Sequence, residues 1–220
     1  MIYRLRDGLS CCICNRQTVF LDLPRDRYFR LGQHDDARFQ LWHSGGVASQ
    51  ADADRLVEIG ILVAGRSAQP PDNPAPPVPP CADLAANPRQ KARLLDIGRC
   101  LLAQHRARST VRRGALAATL QAIASEPKLP SPVTGEALAS ARRVAVAFAS
   151  MPLTFAKAGQ CLPRALAALT LCRAAGVAPI LIFGVRLEPF AAHCWLQLGS
   201  EVVVGDLEQA RMFTPILAVA

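Results

Sequence analysis

The sequence predicts an α+β protein of two modules separated by a proline-rich linker. Seven of the eleven residues from Pro70 to Pro80 are proline, so this segment is neither helix nor central strand and should be an extended, semi-rigid spacer. Short β-type runs with turn residues precede it. Amphipathic helical patterns and then β-type runs follow it. We therefore place a small module at residues 1–65, the linker at 66–82 and a larger domain at 83–220.

The composition is that of a globular protein. Hydrophobic residues make up 51% and charged residues 19% of the 220-residue chain, which excludes wholesale disorder. No apolar run reaches the roughly 20 residues that span a bilayer, and residues 1–14 lack the features of a signal peptide. We expect a cytoplasmic protein without a membrane partner. Its eight cysteines should then be mostly buried small apolar side chains rather than disulfides.

The N-terminal module is predicted to hold a three-stranded sheet followed by helices, with a winged-helix character. Ser49 is suited to cap the second helix, and Gly60 to end it. A core of about 65 residues is marginal, so we expect this module to dock on the other domain or on a partner. The predicted strands are Ser10–Cys14, Thr18–Asp22, Arg27–Leu31 and Ile61–Val63, and the predicted helices are Asp35–His43 and Ala51–Ile59.

Three helices should open the C-terminal domain, and the stretch from Arg89 to Arg113 carries most of the net charge of +8. Between Arg89 and Arg113 there are eight basic side chains against one acid, Asp96. Such a face suits an anionic partner (a nucleic acid, an acidic protein surface or an acidic peptide) and equally suits plain solvation. The predicted helices are Gln90–Gln104, Gly114–Ala124 and Glu136–Ser150, and a loop over Pro152–Gln160 follows.

Cys161 is predicted to lie at the start of the next helix. Pro163 fits the first turn of a helix, and Gly176 fits its end. The unpaired N–H groups and the positive dipole end at a helix N-terminus favour a thiolate, and the same groups can bind a developing oxyanion. Gln160 is a further possible oxyanion donor, although the backbone groups suffice.

A β-hairpin after this helix supplies the partners for a nucleophilic cysteine. Gly199-Ser200 suits a type II′ turn that pairs Leu198 with Glu201. Counting back along both strands places His193 opposite Asp206, where side chains share one face; a bulge near Val202–Val204 would weaken this argument. The predicted segments are the strand Ile180–Val185, the loop Arg186–Phe190 and the hairpin strands Ala191–Leu198 and Glu201–Asp206.

These residues make Cys161, His193 and Asp206 a candidate catalytic triad. Asp206 would orient His193, and His193 would accept the Cys161 proton or hold it as an ion pair. The other nearby acids, Glu188 and Glu201, are less well placed, one in the loop before the hairpin and the other at its far end.

Three blocks carry a family resemblance: Cys161–Leu166, Ala191–Leu196 and Gly205-Asp206. Their order and spacing, within Pro152 to Ile216, resemble the transglutaminase-like peptidases of lasso-peptide biosynthesis, the B-protein family. The resemblance implies a papain/transglutaminase-like domain with helices packed on an antiparallel sheet. It implies removal of a leader peptide from a ribosomal precursor, without metal or cofactor, before an asparagine-synthetase-like macrolactam synthetase closes the ring. Where many relatives have alanine this chain has Cys194, which should point away from His193.

The N-terminal module is similar to the small leader-recognition element of such pathways. That resemblance implies that the leader peptide adds a strand beside Arg27–Leu31, with side-chain pockets from the helix Ala51–Ile59. The expected leader-binding residues are Arg27, Tyr28, Phe29, Arg30, Leu31 and Leu56.

Two other functions remain open for this sequence. A nucleic-acid-binding regulator would use the basic face at 89–113 but would leave the Cys–His–Asp arrangement unexplained. An acyltransferase or true transglutaminase would use the same triad with an amine in place of water.

The Cys-x-x-Cys pair Cys11 and Cys14 lies on a predicted strand and lacks a second pair, which favours apolar packing over zinc binding.

Overall fold

The computed structural model describes residues 2–46, 49–65, 77–85, 91–125, 135–151 and 159–220. These ranges contain helices and strands in both parts of the chain, so the predicted α+β class is confirmed. Most of the proline-rich segment lies outside the described residues, as does most of the predicted loop Pro152–Gln160.

The N-terminal module contains the predicted three-stranded sheet, ordered β2-β3-β4. Asn15 and Arg16 have φ of 49° and 65°, as a tight two-residue hairpin turn between β2 and β3 requires. Ser49 caps the second helix by accepting the Asp52 N–H at 3.1 Å, as expected. The elements are β1 (Ile2–Leu5), β2 (Leu9–Cys14), β3 (Gln17–Asp22), a 3-10 turn (Leu23–Arg25), β4 (Arg27–Arg30), α1 (Gln33–His43), α2 (Gln50–Glu58) and β5 (Leu62–Gly65).

The sequence did not reveal β1, which pairs antiparallel with β5 and closes the module. The strand β3 explains how the module is held, because both its faces are buried. Phe20 faces the module's own core with Phe39, whereas Val19 and Leu21 belong to the core of the C-terminal domain. The two modules therefore share apolar surface, in line with the docking expected for so small a core.

The described residues of the C-terminal domain form a five-stranded sheet, ordered β10-β7-β8-β9-β6, with helices against it. Its neighbouring strands are antiparallel except β6, which runs parallel to β9 and crosses the predicted boundary between linker and domain at residues 82 and 83. The sequence missed β6, α7 and β10. The elements are β6 (Ala82–Asp83), α3 (Leu94–Arg112), α4 (Leu116–Ser125), α5 (Gly135–Ala149), α6 (Cys161–Ala174), β7 (Ile180–Leu187), β8 (Phe190–Leu198), β9 (Glu201–Val204), α7 (Leu207–Met212) and β10 (Thr214–Val219).

The helix α6 is the central element of this domain. It packs against α3, α5 and the sheet, and Ala165, Ala168 and Leu169 are each at most 1% exposed. Its end is the predicted one, since Gly176 has φ of 78° and the Val177 N–H reaches back to the Cys172 carbonyl at 3.0 Å.

The predicted end of α3 is wrong, because the helix continues past Gln104 to Arg112. Arginine is a good helix former, and the extra turns bring Arg108 to the start of α6. Leu94 and Leu95 are 86% and 79% exposed beside the arginines of this helix. The anionic partner of this face stays a prediction. Among the described residues no helix is long and apolar enough to cross a bilayer.

The predicted register of the β8–β9 hairpin holds only near its turn. Leu198 pairs with Glu201 as expected, but a bulge then shifts the register so that Leu196 pairs with Val204. The placement of Asp206 directly opposite His193 is therefore wrong. The bulge falls at Val202–Val204, where the sequence analysis allowed for one, although an apolar run of valines does not itself indicate a bulge.

Two glycines allow a test of the packing beside the site. A Cβ on Gly184 would lie 2.8 Å from the Trp195 ring and 2.9 Å from the Phe213 Cβ, whereas a Cβ on Gly98, exposed on α3, would meet nothing within 4 Å. We expect Gly184→Ala to lower the free energy of unfolding by about 1–3 kcal/mol. The control Gly98→Ala should raise it by about 0.5–1 kcal/mol. Urea titration measures the free energy of unfolding of both variants. A Gly184→Ala protein as stable as the wild type would contradict this packing.

Candidate active site

Cys161 begins α6, as predicted. The first helical hydrogen bond runs from the Arg164 N–H to the Gln160 carbonyl at 3.1 Å, which leaves the N–H groups of Cys161 and Leu162 without helical partners. Pro163 has no N–H group. The thiol is half-buried and lines an open cleft. It therefore lies where unpaired N–H groups and the helix dipole favour negative charge.

Several other cysteines are held as inert thiols. Burial raises the pKa of Cys100 to about 11 and that of Cys172 to about 12. Burial raises the pKa of Cys194 well above its usual range, with a further contribution from the Cys161 thiol nearby. Such groups remain protonated at neutral pH and are poor nucleophiles. Cys161 differs from them by its place at a helix N-terminus on a cleft.

His193 lies on β8, two residues before Trp195. Its ring stacks on the Trp195 ring with centroids 6.0 Å apart and contacts the Phe213 ring at 5.3 Å. Burial lowers the pKa of His193, and Asp206 offsets part of this effect by raising it. Among the described residues Nε2 of His193 has no hydrogen-bond partner. The ring is therefore neutral at pH 7 and can accept a proton.

Asp206 follows β9 and caps α7. Its carboxylate accepts the Gln209 N–H at 2.8 Å, the usual role of an N-cap side chain. The carboxylate also acts electrostatically on His193. Gly205 sets the turn between β9 and α7: it has φ of 140°, and a Cβ there would lie 2.7 Å from the Trp195 Cβ. Asp206 thus lies near His193 through a bend in the chain and not through strand pairing.

One cleft of about 330 Å³ brings the three predicted triad residues together. Cys194 is buried in the core below α6, while His193 packs with Trp195, so the two side chains diverge as expected. Sequence reasoning missed Arg164, which donates to the Phe148 carbonyl at 2.9 Å and lies over that ring. The cleft is lined by Phe148, Ala149, Met151, Gln160, Cys161, Arg164, His193, Cys194, Val204, Gly205, Asp206 and Gln209.

The predicted leader-binding strand is the terminal strand of its sheet. Among the described residues β4 pairs with β3 alone, so its other edge has no strand partner there. Arg27 and Arg30 are exposed. Arg30 donates to the Gln17 side chain at 2.7 Å, and Arg27 lies over the Phe29 ring.

The remaining leader-binding residues differ in accessibility. Leu31 packs at the border of the module's core, and Leu56 is fully buried within that core, so Leu56 shapes the module from inside. Tyr28 extends towards the other domain, where its ring meets the Phe190 ring edge-on at 5.8 Å. Burial raises the pKa of Tyr28, and the nearby Cys194 and Cys161 raise it further.

A second cavity of about 170 Å³ lies between β4 and the turn that joins β7 to β8. Its wall is mostly apolar, and both modules contribute to it. The lining residues are Val19, Tyr28, Phe29, Arg30, Leu187 and Phe190. This cavity thus lies where β4 faces the domain that carries Cys161.

No group of three His, Cys, Asp or Glu residues within the described ranges could hold a metal ion. Cys11 and Cys14 lie on β2, as predicted, and are buried.

Comparison with known proteins gives one result. A model of the transglutaminase-like superfamily matches residues 87–218, well over half of the chain. Neither the search of curated proteins nor that of solved structures found a match.

The burial of His193 predicts the pH dependence of acylation at Cys161. The neutral ring accepts the proton, so the rate should fall as pH drops through the His193 pKa, which lies below 6.5. Asp206→Asn keeps a capping side chain but removes the charge that raises this pKa. The pH at which the acylation rate falls, the acidic limb of the pH profile, should therefore move still lower. The control Glu208→Gln, also on α7, should not move it.

The measurement is the pH profile of acylation by p-nitrophenyl acetate, read as p-nitrophenolate release. An acidic limb above pH 6.5, or an upward shift in Asp206→Asn, would refute the neutral-base assignment.

Proposed function

Because the chain belongs to the transglutaminase-like superfamily, we propose that it is a cysteine peptidase that removes the leader from a ribosomally made lasso-peptide precursor. The observation that carries this proposal is the cleft that Cys161, His193 and Asp206 share. Tyr28 of the edge strand β4 lies near Cys161. A partner macrolactam synthetase of asparagine-synthetase type then closes the ring of the released core peptide.

The chemistry needs only side chains of this chain. The Cys161 sulfur attacks the scissile carbonyl, and neutral His193 takes the thiol proton. His193 then gives this proton to the leaving amine, so the core peptide departs and the leader remains bound to Cys161 as a thioester. Water, with His193 as base, hydrolyses the thioester and restores the thiol. Asp206 lies close enough to stabilise the protonated form of His193 during both steps.

The position of the N-terminal module supports leader recognition. A leader strand added to β4 gains main-chain hydrogen bonds, and the cavity beside Tyr28 and Phe190 can take an apolar side chain. Tyr28 lies near Cys161 as well as on β4. A peptide held at this edge is therefore close to the thiol that cuts it, and binding would place the scissile bond without a large movement.

Two alternatives are less well supported. A nucleic-acid regulator would use α3, but Leu95 and Leu102 are exposed between its arginines, and leucine offers nothing to phosphate groups. An acyltransferase would use the same three residues and differs only in the acceptor of the acyl group. The leader-binding edge favours the peptidase, because a bound leader supplies the substrate in one defined register.

The test uses this chain and a lasso-peptide precursor that carries its leader. We expect Cys161→Ala to abolish cleavage, a fall of at least about 10³-fold, because no other nucleophile replaces the thiol. The variant should still bind the leader with unchanged affinity, since β4 is intact. Mass spectrometry measures cleavage and fluorescence anisotropy of a labelled leader measures binding. Cys81→Ala, at an exposed cysteine outside the cleft, is the matched control.

Cleavage by the Cys161→Ala protein would refute the nucleophile. Adding a primary amine to the wild-type reaction separates the peptidase from the acyltransferase. The peptidase predicts hydrolysed products, and amide products in their place would establish acyl transfer.

A further inference from the structure

Gln160 and Arg108 form a contact that the triad does not explain. Nε of Arg108, on α3, donates to Oε1 of Gln160 at 2.6 Å. Gln160 is the N-cap residue of α6, yet its side chain makes no capping bond. It lines the cleft with Cys161 and His193 instead.

The chemistry of arginine fixes how the Gln160 amide is turned. A guanidinium has only N–H donors, so it can face only the carbonyl oxygen of a glutamine. The NH₂ branch of Gln160 must then point away from Arg108. A flipped amide would set donor against donor at 2.6 Å, which is excluded. Arg108 therefore holds a preoriented N–H donor one residue before Cys161.

We propose that Nε2 of Gln160 is an oxyanion donor for the Cys161 reaction and that Arg108 is the residue that positions it. Gln160 then acts with the unpaired N–H groups at the start of α6. The inference rests on the proposed nucleophilic role of Cys161 and adds two residues to it.

The step that needs this donor is the attack on the carbonyl. As the sulfur forms its bond to the carbonyl carbon, the π electrons of the C=O bond move to oxygen and the thiol proton passes to His193. When the intermediate collapses, the oxygen pair re-forms the double bond and the leaving group departs with its own bonding pair. Nε2 of Gln160 stabilises the oxygen only while it carries charge, so it lowers the barrier and not the energy of the bound ester.

Two reagents distinguish this role from a structural one. p-Nitrophenyl acetate acylates Cys161 through an oxyanion, whereas iodoacetamide alkylates it by direct displacement without one. Gln160→Ala should slow acylation by about 10²-fold, as expected for a lost oxyanion donor, and leave alkylation within about twofold. A structural fault at the start of α6 would slow both reactions.

Arg108 gives the second variant. Arg108→Met leaves the glutamine amide free to rotate and should slow acylation by about 10-fold with alkylation unchanged, a smaller loss than that from removing the donor. Arg108→Lys keeps a donor for Oε1 and should recover part of the rate. Arg106→Met, an exposed position on the same helix, is the matched control and should behave as wild type.

The outcomes separate the inference from its premise. If the wild-type thiol is not acylated, the nucleophilic role of Cys161 fails. If wild type is acylated and Gln160→Ala is acylated equally fast, the oxyanion role fails while the peptidase proposal stands. Equal losses in acylation and alkylation would make Gln160 a structural residue and would also overturn the inference.

Discussion

The packing of α6 against the sheet is the constraint on which the site depends. A helix of small and apolar residues approaches the strands closely, and its N-terminus lies on the cleft that residues of β8 and β9 line. That place puts a thiol, a set of unpaired N–H groups and the dipole of the helix on a cleft that His193 also lines. The helix α3 packs on the other side of α6 and, because it is long, delivers Arg108 to the same end.

The aromatic cluster below the site sets the chemistry of its base. Trp195 and Phe213 surround His193 on the face of the sheet that α7 covers, and Gly184 leaves room for the Trp195 ring. Burial among these rings keeps the imidazole neutral, while Asp206 acts against burial from the end of β9. A base whose pKa lies below its usual value is unprotonated at neutral pH and is ready to take a proton from a thiol.

Local sequence signals predicted the parts whose geometry depends on nearby residues. Pro163 and Gly176 marked the ends of α6, and Gly199 marked the turn with its φ of 58°. The register beyond Gln197 was wrong, because a bulge among buried valines leaves no mark in an apolar run. The pairing of β1 with β5 and the contact of Arg108 with Gln160 join distant parts of the chain, and only tertiary packing determines them.

The central claim is that Cys161 is the nucleophile among eight cysteines. The direct measurement treats the native protein at neutral pH with less than one equivalent of iodoacetamide and locates the label by peptide mass spectrometry. The account predicts that Cys161 carries most of the label, ahead of the more exposed Cys81. Preferential labelling of Cys81, or equal labelling of both, would contradict it, because accessibility alone would then decide which thiol reacts.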